Sequence, residues 1–236
     1  DIEYTSVSEA AAAGWSLTDK VCNTTYGTCT SWGSPAGFTI VADGDTTALG
    51  PEDGEFEMYY SGGTTETTTP TLNFADAESD LKLTLKHRYN FDYYSGMSTA
   101  YNGGQVLIST DDGDNWELFT PEGGYPGTMY NYAFYANPLY NQAGFVHCGD
   151  CSGVSGTASD NEDKYIETVF DMADYVGETE VKLKFQVGMY RYQYPGDGEH
   201  WYIDSLAFTG TGMESVAFEE IVAISGAAGP FVSGEK

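Results

Sequence analysis

The chain has few basic residues and no long apolar run. Of its 236 residues, 9 are Lys or Arg and 36 are Asp or Glu, which gives a formal net charge of −27 at pH 7. Nucleic acids and anionic membrane surfaces need clustered Lys and Arg, so we expect neither as a partner. No stretch approaches the roughly 18 apolar residues of a membrane helix, so we expect no membrane insertion. The acidity itself fits either solubility in salty water or binding of divalent cations.

Helical periodicity is nearly absent, and only three short stretches around residues 8–15, 172–177 and 218–224 allow a helical turn or two. Apolar residues instead recur at every second position in short runs bounded by Gly, Asp, Asn or Pro. Leu81, Leu83 and Leu85 share one face of such a run, and polar residues occupy the other face. The pattern, with 29 glycines and 19 tyrosines, predicts an all-β, turn-rich fold of antiparallel strands.

The predicted organisation is one domain over residues 1–212, followed by a C-terminal extension or linker over 213–236. Two segments break the strand rhythm. We interpret residues 64–71, TTETTTPT, as a polar connector, and residues 121–163 as a long insertion and the first place to look for a ligand. Since the chain starts without Met and ends in small residues, we expect it to be attached to other domains of a longer protein.

The four cysteines fall as two close pairs, Cys22 with Cys29 and Cys148 with Cys151. Pairing within each couple closes short loops, so we favour disulfides 22–29 and 148–151, with a single zinc site as a disfavoured alternative. Paired cysteines indicate an oxidising compartment, and we therefore expect a secreted or cell-surface protein.

Residues 109–116, STDDGDNW, place Ser109, Asp111, Gly113 and Trp116 in the pattern called the Asp box in sialidases. Sialidases carry several copies, whereas this chain has one and too few arginines for an arginine triad. No Glu follows at the spacing of an EF-hand. We therefore predict a structural hairpin turn with Asx-type capping.

The order of several motifs resembles that of MAM-like jelly-roll modules, which are appended to secreted bacterial peptidases of the immune inhibitor A type and to surface proteins. The motifs are LKLTLKHRYNFDYY, YNGGQVLISTDDGDNWELF, FDMADYVGETEVKLKFQVG and GEHWYIDSLAF, within roughly residues 14–210. The resemblance implies a two-sheet antiparallel β-sandwich (jelly roll) with a noncatalytic role. The tyrosine-rich insertion and HCGDC depart from the family pattern, so no binding specificity is carried over.

The same resemblance implies a structural calcium ion. Asp43 and Asp45 flank a glycine after a predicted strand and can direct two carboxylates at one cation, while Asp92 and Asp204 match acidic positions of the family's motifs. Turn chemistry at residues 43 and 45, and a buried, hydrogen-bonded Asp204, are the alternative interpretation.

Tyrosines concentrate in the insertion and near residues 190–194. Aromatic faces beside polar groups suit sugar rings, although tyrosines also roof β-sandwiches. The candidate ligand-binding residues are Tyr125, Tyr130, Tyr132, Tyr135, Tyr190, Tyr192, Tyr194 and Trp201.

The sequence contains no hydrolase or phosphate-binding motif among those with recognisable spacing. His87 and Arg88 are neighbours in a predicted strand and point to opposite faces, which opposes their convergence in a lyase site. We expect a noncatalytic extracellular module that binds a glycan or a protein surface. A carbohydrate-active enzyme, lyase or hydrolase, is the alternative, and a spacer without ligand is a third.

Overall fold

The computed structural model describes residues 6–22, 38–43, 46–51, 63–91, 99–129, 137–146, 165–189, 200–211 and 216–217. These residues form one short helix, α1 (Val7–Ala12), which Ser6 caps through its side chain at the amide of Glu9. Strands account for most of the rest. They are β1 (Ser16–Cys22), β2 (Phe38–Asp43), β3 (Thr46–Pro51), β4 (Gly63–Thr68), β5 (Lys82–Asn90), β6 (Thr99–Ala100), β7 (Gly103–Ser109), β8 (Glu117–Leu118), β9 (Gly127–Met129), β10 (Ala143–Gly144), β11 (Ile166–Asp171), β12 (Lys182–Met189), β13 (His200–Thr209) and β14 (Val216–Ala217).

Two antiparallel sheets pack against each other, which confirms the predicted all-β sandwich. The first sheet, sheet A, has the order β1-β4-β12-β7-β8. The second, sheet B, has the order β11-β5-β13-β3-β2, with β14 also paired to β13. A small third sheet, β10-β9-β6, contains a short parallel pairing between β6 and β9. Within the described residues, no helix is long and apolar enough to cross a membrane.

The core lies between the two sheets, as the period-two pattern predicts. Leu83 and Leu85 of β5 are fully buried, as is Leu81 just before this strand. Trp201 of β13 contacts the opposite sheet, with its ring centroid 5.8 Å from that of Phe185. A Cβ placed on Gly104 of β7 would lie 2.6 Å from the same ring, so glycine is required there for the sheets to approach.

The interpretation of residues 64–71 as a connector is wrong, because residues 63–68 form β4 in the interior of sheet A. Thr65 and Thr67 are buried opposite Val187 and Phe185 of β12. Threonine favours strands through its β-branch, but its hydroxyl hides the apolar alternation that marks a buried strand in sequence.

The end of β13 is fixed by Asp80, whose two carboxylate oxygens accept from the amide and the hydroxyl of Thr211, each at 2.6 Å. These bonds lower the pKa of Asp80. Beyond this point, β14 pairs with β13 through Ala217 and Val216. Part of the predicted C-terminal extension is therefore hydrogen-bonded into sheet B.

Candidate functional site

The turn after β7 is built as the Asp-box pattern predicts. The Asp111 carboxylate accepts from Ser109 Oγ at 2.7 Å and from the backbone and side-chain nitrogens of Asn115 at 2.8 and 2.6 Å. These bonds lower the pKa of Asp111 to about 2. Gly113 has φ +97°, as such a turn requires. The predicted structural turn is confirmed.

The second aspartate of this turn anchors it to neighbouring segments. Asp112 accepts from Thr71 Oγ1 at 2.6 Å and pairs with Lys182 Nζ at 2.8 Å. Both interactions lower the pKa of Asp112. The two carboxylates are thus engaged by protein donors, and the turn holds Trp116 in place at the edge of sheet A.

A row of polar side chains crosses the outer face of sheet A on three adjacent strands. The register places Glu66 of β4 opposite Gln186 of β12, and Gln186 opposite Gln105 of β7. Gln105 Nε2 donates to Gln186 Oε1 at 3.1 Å, and Gln186 Nε2 donates to Glu66 Oε2 at 3.4 Å. Alternation along the strands puts all three on the face opposite the core.

Lys184 and Trp116 extend this row into a cluster. Lys184 Nζ lies 3.1 Å from Glu66 Oε2 and 4.2 Å from the centre of the Trp116 ring. Trp116 is partly exposed, and Leu118 beside it is exposed at 40%. We call Glu66, Gln105, Trp116, Lys184 and Gln186 the sheet-face cluster. It combines an aromatic surface with amide, carboxylate and ammonium groups.

One acceptor of the sheet-face cluster has no partner within the described part of the chain. Gln105 is 1% exposed, and its Oε1 receives no hydrogen bond there. A buried carbonyl without a donor costs about 1–3 kcal/mol, and its burial keeps it out of contact with solvent.

One end of the cluster is bounded by residues 127–129 and 137–146, which we call the cover. Met129 and Val146 of the cover would collide with a Cβ on Gly103, and Leu139 would collide with one on Gly188. Gly103 and Gly188 pair with each other one step beyond Gln105 and Gln186 on the same face. The cover therefore packs directly on Gly103 and Gly188 and bounds the sheet-face cluster at this end.

Ion pairs neutralise every lysine whose side chain the structure describes. Lys82 pairs with Glu122, Lys86 with Asp204, Lys182 with Asp112 and Lys184 with Glu66. The sheet-face cluster accordingly carries one positive and one negative charge, on a chain whose net charge is −27. A neutral ligand suits these charges better than an anionic one.

Asp204 is the one proposed calcium ligand whose side chain the structure describes. It is fully buried at a register shift of β13, and Lys86 Nζ lies 2.7 Å from its Oδ2. Neither carboxylate oxygen accepts a hydrogen bond from a described residue, and the contact with Lys86 is an ion pair. An ammonium group in this position does not fit a calcium ion, and the described residues contain no cluster of three acidic, His or Cys ligands.

The other proposed metal ligands lie at or beyond the limits of the description. The backbone of Asp43 ends β2, but its side chain lies outside the described part of the chain, as do Asp45 and Asp92. The proposed disulfides also lie outside the described part of the chain. Only the backbone of Cys22 is described, and Cys29, Cys148 and Cys151 are not.

Two proposed ligand-binding aromatics have packing roles instead. Trp201 is fully buried between the sheets. The Tyr125 hydroxyl donates to the carbonyl of Phe119 at 2.6 Å and accepts from the amide of Val106 at 2.9 Å, which ties a loop to β7. Burial raises the pKa of Tyr125. The remaining six tyrosines lie outside the described residues, namely Tyr130, Tyr132, Tyr135, Tyr190, Tyr192 and Tyr194.

His87 and Arg88 point to opposite faces of β5, as predicted. His87 is fully buried, whereas Arg88 lies on the outer face with its guanidinium 4.8 Å from the centre of the Tyr202 ring. Trp201 Nε1 donates to His87 Nδ1 at 2.9 Å. Because an indole nitrogen only donates, His87 Nδ1 is unprotonated, and Nε2 donates to Thr168 Oγ1 at 2.8 Å.

Sequence reasoning missed the sheet-face cluster. Its signal is present as polar residues at alternate positions of β7 and β12, but a wet strand face produces the same pattern. The cluster depends on the register between β4, β12 and β7, and the polar sequence of β4 predicts a connector there instead of a strand.

The chain matches no protein-family model and no curated protein. Among solved structures it is similar to the xyloglucanase domain of NopAA, a type three effector from Sinorhizobium fredii in complex with cellobiose. The identity is 14% and the TM-score 0.31, over 76% of this chain and 91% of that chain. A similarity at this level carries no argument about function, and the MAM-like resemblance stays a prediction.

Proposed function

We propose that the protein is a noncatalytic, extracellular β-sandwich module that binds a neutral glycan at the sheet-face cluster. The observation that carries the proposal is the hydrogen-bonded row Glu66–Gln186–Gln105 beside the partly exposed ring of Trp116. Sugars stack their C–H groups on aromatic rings, and their hydroxyls bond to amides and carboxylates.

The composition of the cluster supports binding over hydrolysis. Most glycosidases use two carboxyl groups, one as acid and one as base or nucleophile. Among the described residues, the sheet-face cluster contains one carboxylate, Glu66, and Lys184 is paired with it. The alternative of a carbohydrate-active enzyme therefore requires residues outside the cluster.

A neutral-glycan array tests the proposal, with the wild type and matched variants applied under the same conditions. We expect saturable retention by the wild type and its loss in Trp116→Ala and Lys184→Met. Lys82→Met is the control, because Lys82 lies in β5 of sheet B and also pairs with an acidic residue, Glu122. Retention that survives both cluster variants, or no retention on any neutral glycan, would contradict the proposal. New reducing ends or unsaturated products would favour the enzyme.

A structural calcium ion is a second part of the proposal, and its candidate ligands are reduced to Asp43, Asp45 and Asp92. A metal that binds only the folded state raises its apparent stability by mass action. We expect added calcium to raise the melting temperature and EDTA to reverse the rise. The same melting temperature under both conditions would remove calcium from the account.

A further inference from the structure

Lys86 of β5 and Asp204 of β13 bring an amine and a carboxyl group together on adjacent strands of sheet B. Lys86 Nζ lies 2.7 Å from Asp204 Oδ2. The Asp204 side chain is fully buried, whereas the Lys86 side chain is 37% exposed. The pair therefore holds a nucleophile against a carboxyl group that solvent does not reach.

The position of Asp204 comes from an irregularity in the pairing of β13 with β5. Ile203 pairs with His87 and Ser205 with Lys86, so Asp204 is an extra residue between two consecutive pairs. A β-bulge of this kind breaks the alternation of side chains and re-aims one of them, and bulges are over-represented next to active sites. The register shift thus places the Asp204 carboxylate beside Lys86 Nζ.

The contact differs from an ordinary surface ion pair. Lys82 Nζ and Glu122 Oε1 are also 2.7 Å apart, but both side chains are 46% exposed and the contact is a hydrogen bond. Neither oxygen of Asp204 accepts a hydrogen bond from a described residue. A buried carboxylate without hydrogen bonds is costly, and its conversion into a neutral amide removes the charge.

We propose that Lys86 and Asp204 condense after folding into an intramolecular amide that joins β5 to β13. This modification goes beyond the proposed function and does not depend on it. The ammonium of the ion pair first passes a proton to the carboxylate, which gives an amine and a carboxylic acid. The nitrogen lone pair then attacks Asp204 Cγ and a C–N bond forms, while a C–O bond breaks and a nitrogen proton moves to the leaving oxygen. One water molecule leaves, and no oxidant or cofactor is needed.

Three features of the fold favour this reaction. The paired strands hold the two groups together, which replaces an encounter between separate molecules by an intramolecular step. Burial of the carboxyl group keeps water away from the bond that water would hydrolyse. Glu167 on β11 and Ser205 on β13 are the cross-strand neighbours of Lys86, and their side chains can relay the proton to the leaving oxygen.

Mass spectrometry of the denatured full chain tests the inference, after incubation of the folded protein at neutral pH and reduction of its cysteines. We expect a species that is lighter than the sequence mass by one water molecule and that accumulates with time. Tryptic digestion should then give a branched peptide that joins Lys86 to Asp204, because trypsin does not cleave after an acylated lysine. A wild-type chain that keeps its full sequence mass, or a loss of water without this branch, would overturn the inference.

Two lysine variants show whether the reaction belongs to this pair. Lys86→Arg keeps a cation beside Asp204, but its guanidinium stays protonated and does not attack the carboxyl carbon. We expect this variant to keep its full sequence mass, with near-UV circular dichroism to confirm that it is folded. Lys82→Arg changes the exposed ion pair of the same length and should lose water as the wild type does. Equal loss of water in the wild type and Lys86→Arg would overturn the inference, and the branched peptide of the wild type decides the question even if Lys86→Arg does not fold.

Discussion

The buried imidazole of His87 makes the stability of the fold depend on pH. Burial lowers the pKa of His87 from 6.5 to about 3. In the unfolded chain the same side chain takes up a proton as pH falls through 6.5, while in the folded protein it stays neutral until about pH 3. The unfolded state then binds more protons, so the free energy of unfolding decreases as pH falls across this window.

The size of the effect follows from this difference in pKa. Each pH unit below 6.5 lowers the free energy of unfolding by about 1.4 kcal/mol per such group. His87 therefore lowers the free energy of unfolding by about 2 kcal/mol between pH 8 and pH 5. This value depends little on the folded-state pKa, provided that it stays well below 5. Tyr89 packs against the imidazole at 5.2 Å between ring centroids, but burial raises its pKa, so it stays neutral throughout.

The assay is denaturant unfolding at pH 8 and pH 5, for the wild type and His87→Gln. Glutamine retains a donor and an acceptor but does not titrate, and carboxylates and the two other histidines contribute equally to both proteins. We expect the wild type to lose about 2 kcal/mol more than the variant between the two pH values. The same pH dependence in both proteins would refute the neutral, buried imidazole.

Three further substitutions test the packing. Gly104→Ala is expected to lower stability by about 1–3 kcal/mol, because its Cβ meets the Trp201 ring; unchanged denaturant unfolding would contradict this close approach. Thr67→Val is expected to raise the free energy of unfolding by about 1 kcal/mol, because the buried Thr67 hydroxyl has no partner among the described residues. Thr68→Val, on the outer face, is the control and should leave the free energy of unfolding unchanged. Lys86→Met is expected to lower the free energy of unfolding by about 2 kcal/mol, because the buried Asp204 carboxylate loses its cation, and Asp204→Asn should partly restore it. Lys82→Met breaks an exposed ion pair and should lower the free energy of unfolding by less than about 1 kcal/mol. Equal losses in the two variants would argue against a special role for Asp204.

The sequence predicts the parts of the fold in which apolar residues alternate. Strands β5, β7, β12 and β13 coincide with predicted runs to within one residue at either end, because their core positions carry Leu, Val, Ile and Phe. The Asp-box turn was equally predictable, since the hydrogen bonds of Ser109 and Asp111 that shape it join residues at most four apart. Local patterns of this kind need no knowledge of the partner strand.

Features that depend on distant pairing were not predictable. The role of Trp201 in the core follows from the approach of sheet A at Gly104, and the ion pair of Asp204 follows from a register shift against β5. A one-residue change of register moves a side chain to the other face, so the sheet-face cluster needs the pairing itself. Because the buried positions of β4 carry threonine, the sequence does not identify β4, which is one of the three strands that carry the sheet-face cluster.

The most direct test of the account observes the indole N–H resonances of the four tryptophans by NMR during titration with cellohexaose, mannohexaose or xylohexaose. Trp116→Phe assigns one resonance, and the buried Trp15 and Trp201 are internal references. The account predicts that at least one hexaose shifts the Trp116 resonance progressively and to saturation, while those of Trp15 and Trp201 stay in place. A Trp116 resonance that none of the three hexaoses moves would contradict glycan binding at the sheet-face cluster.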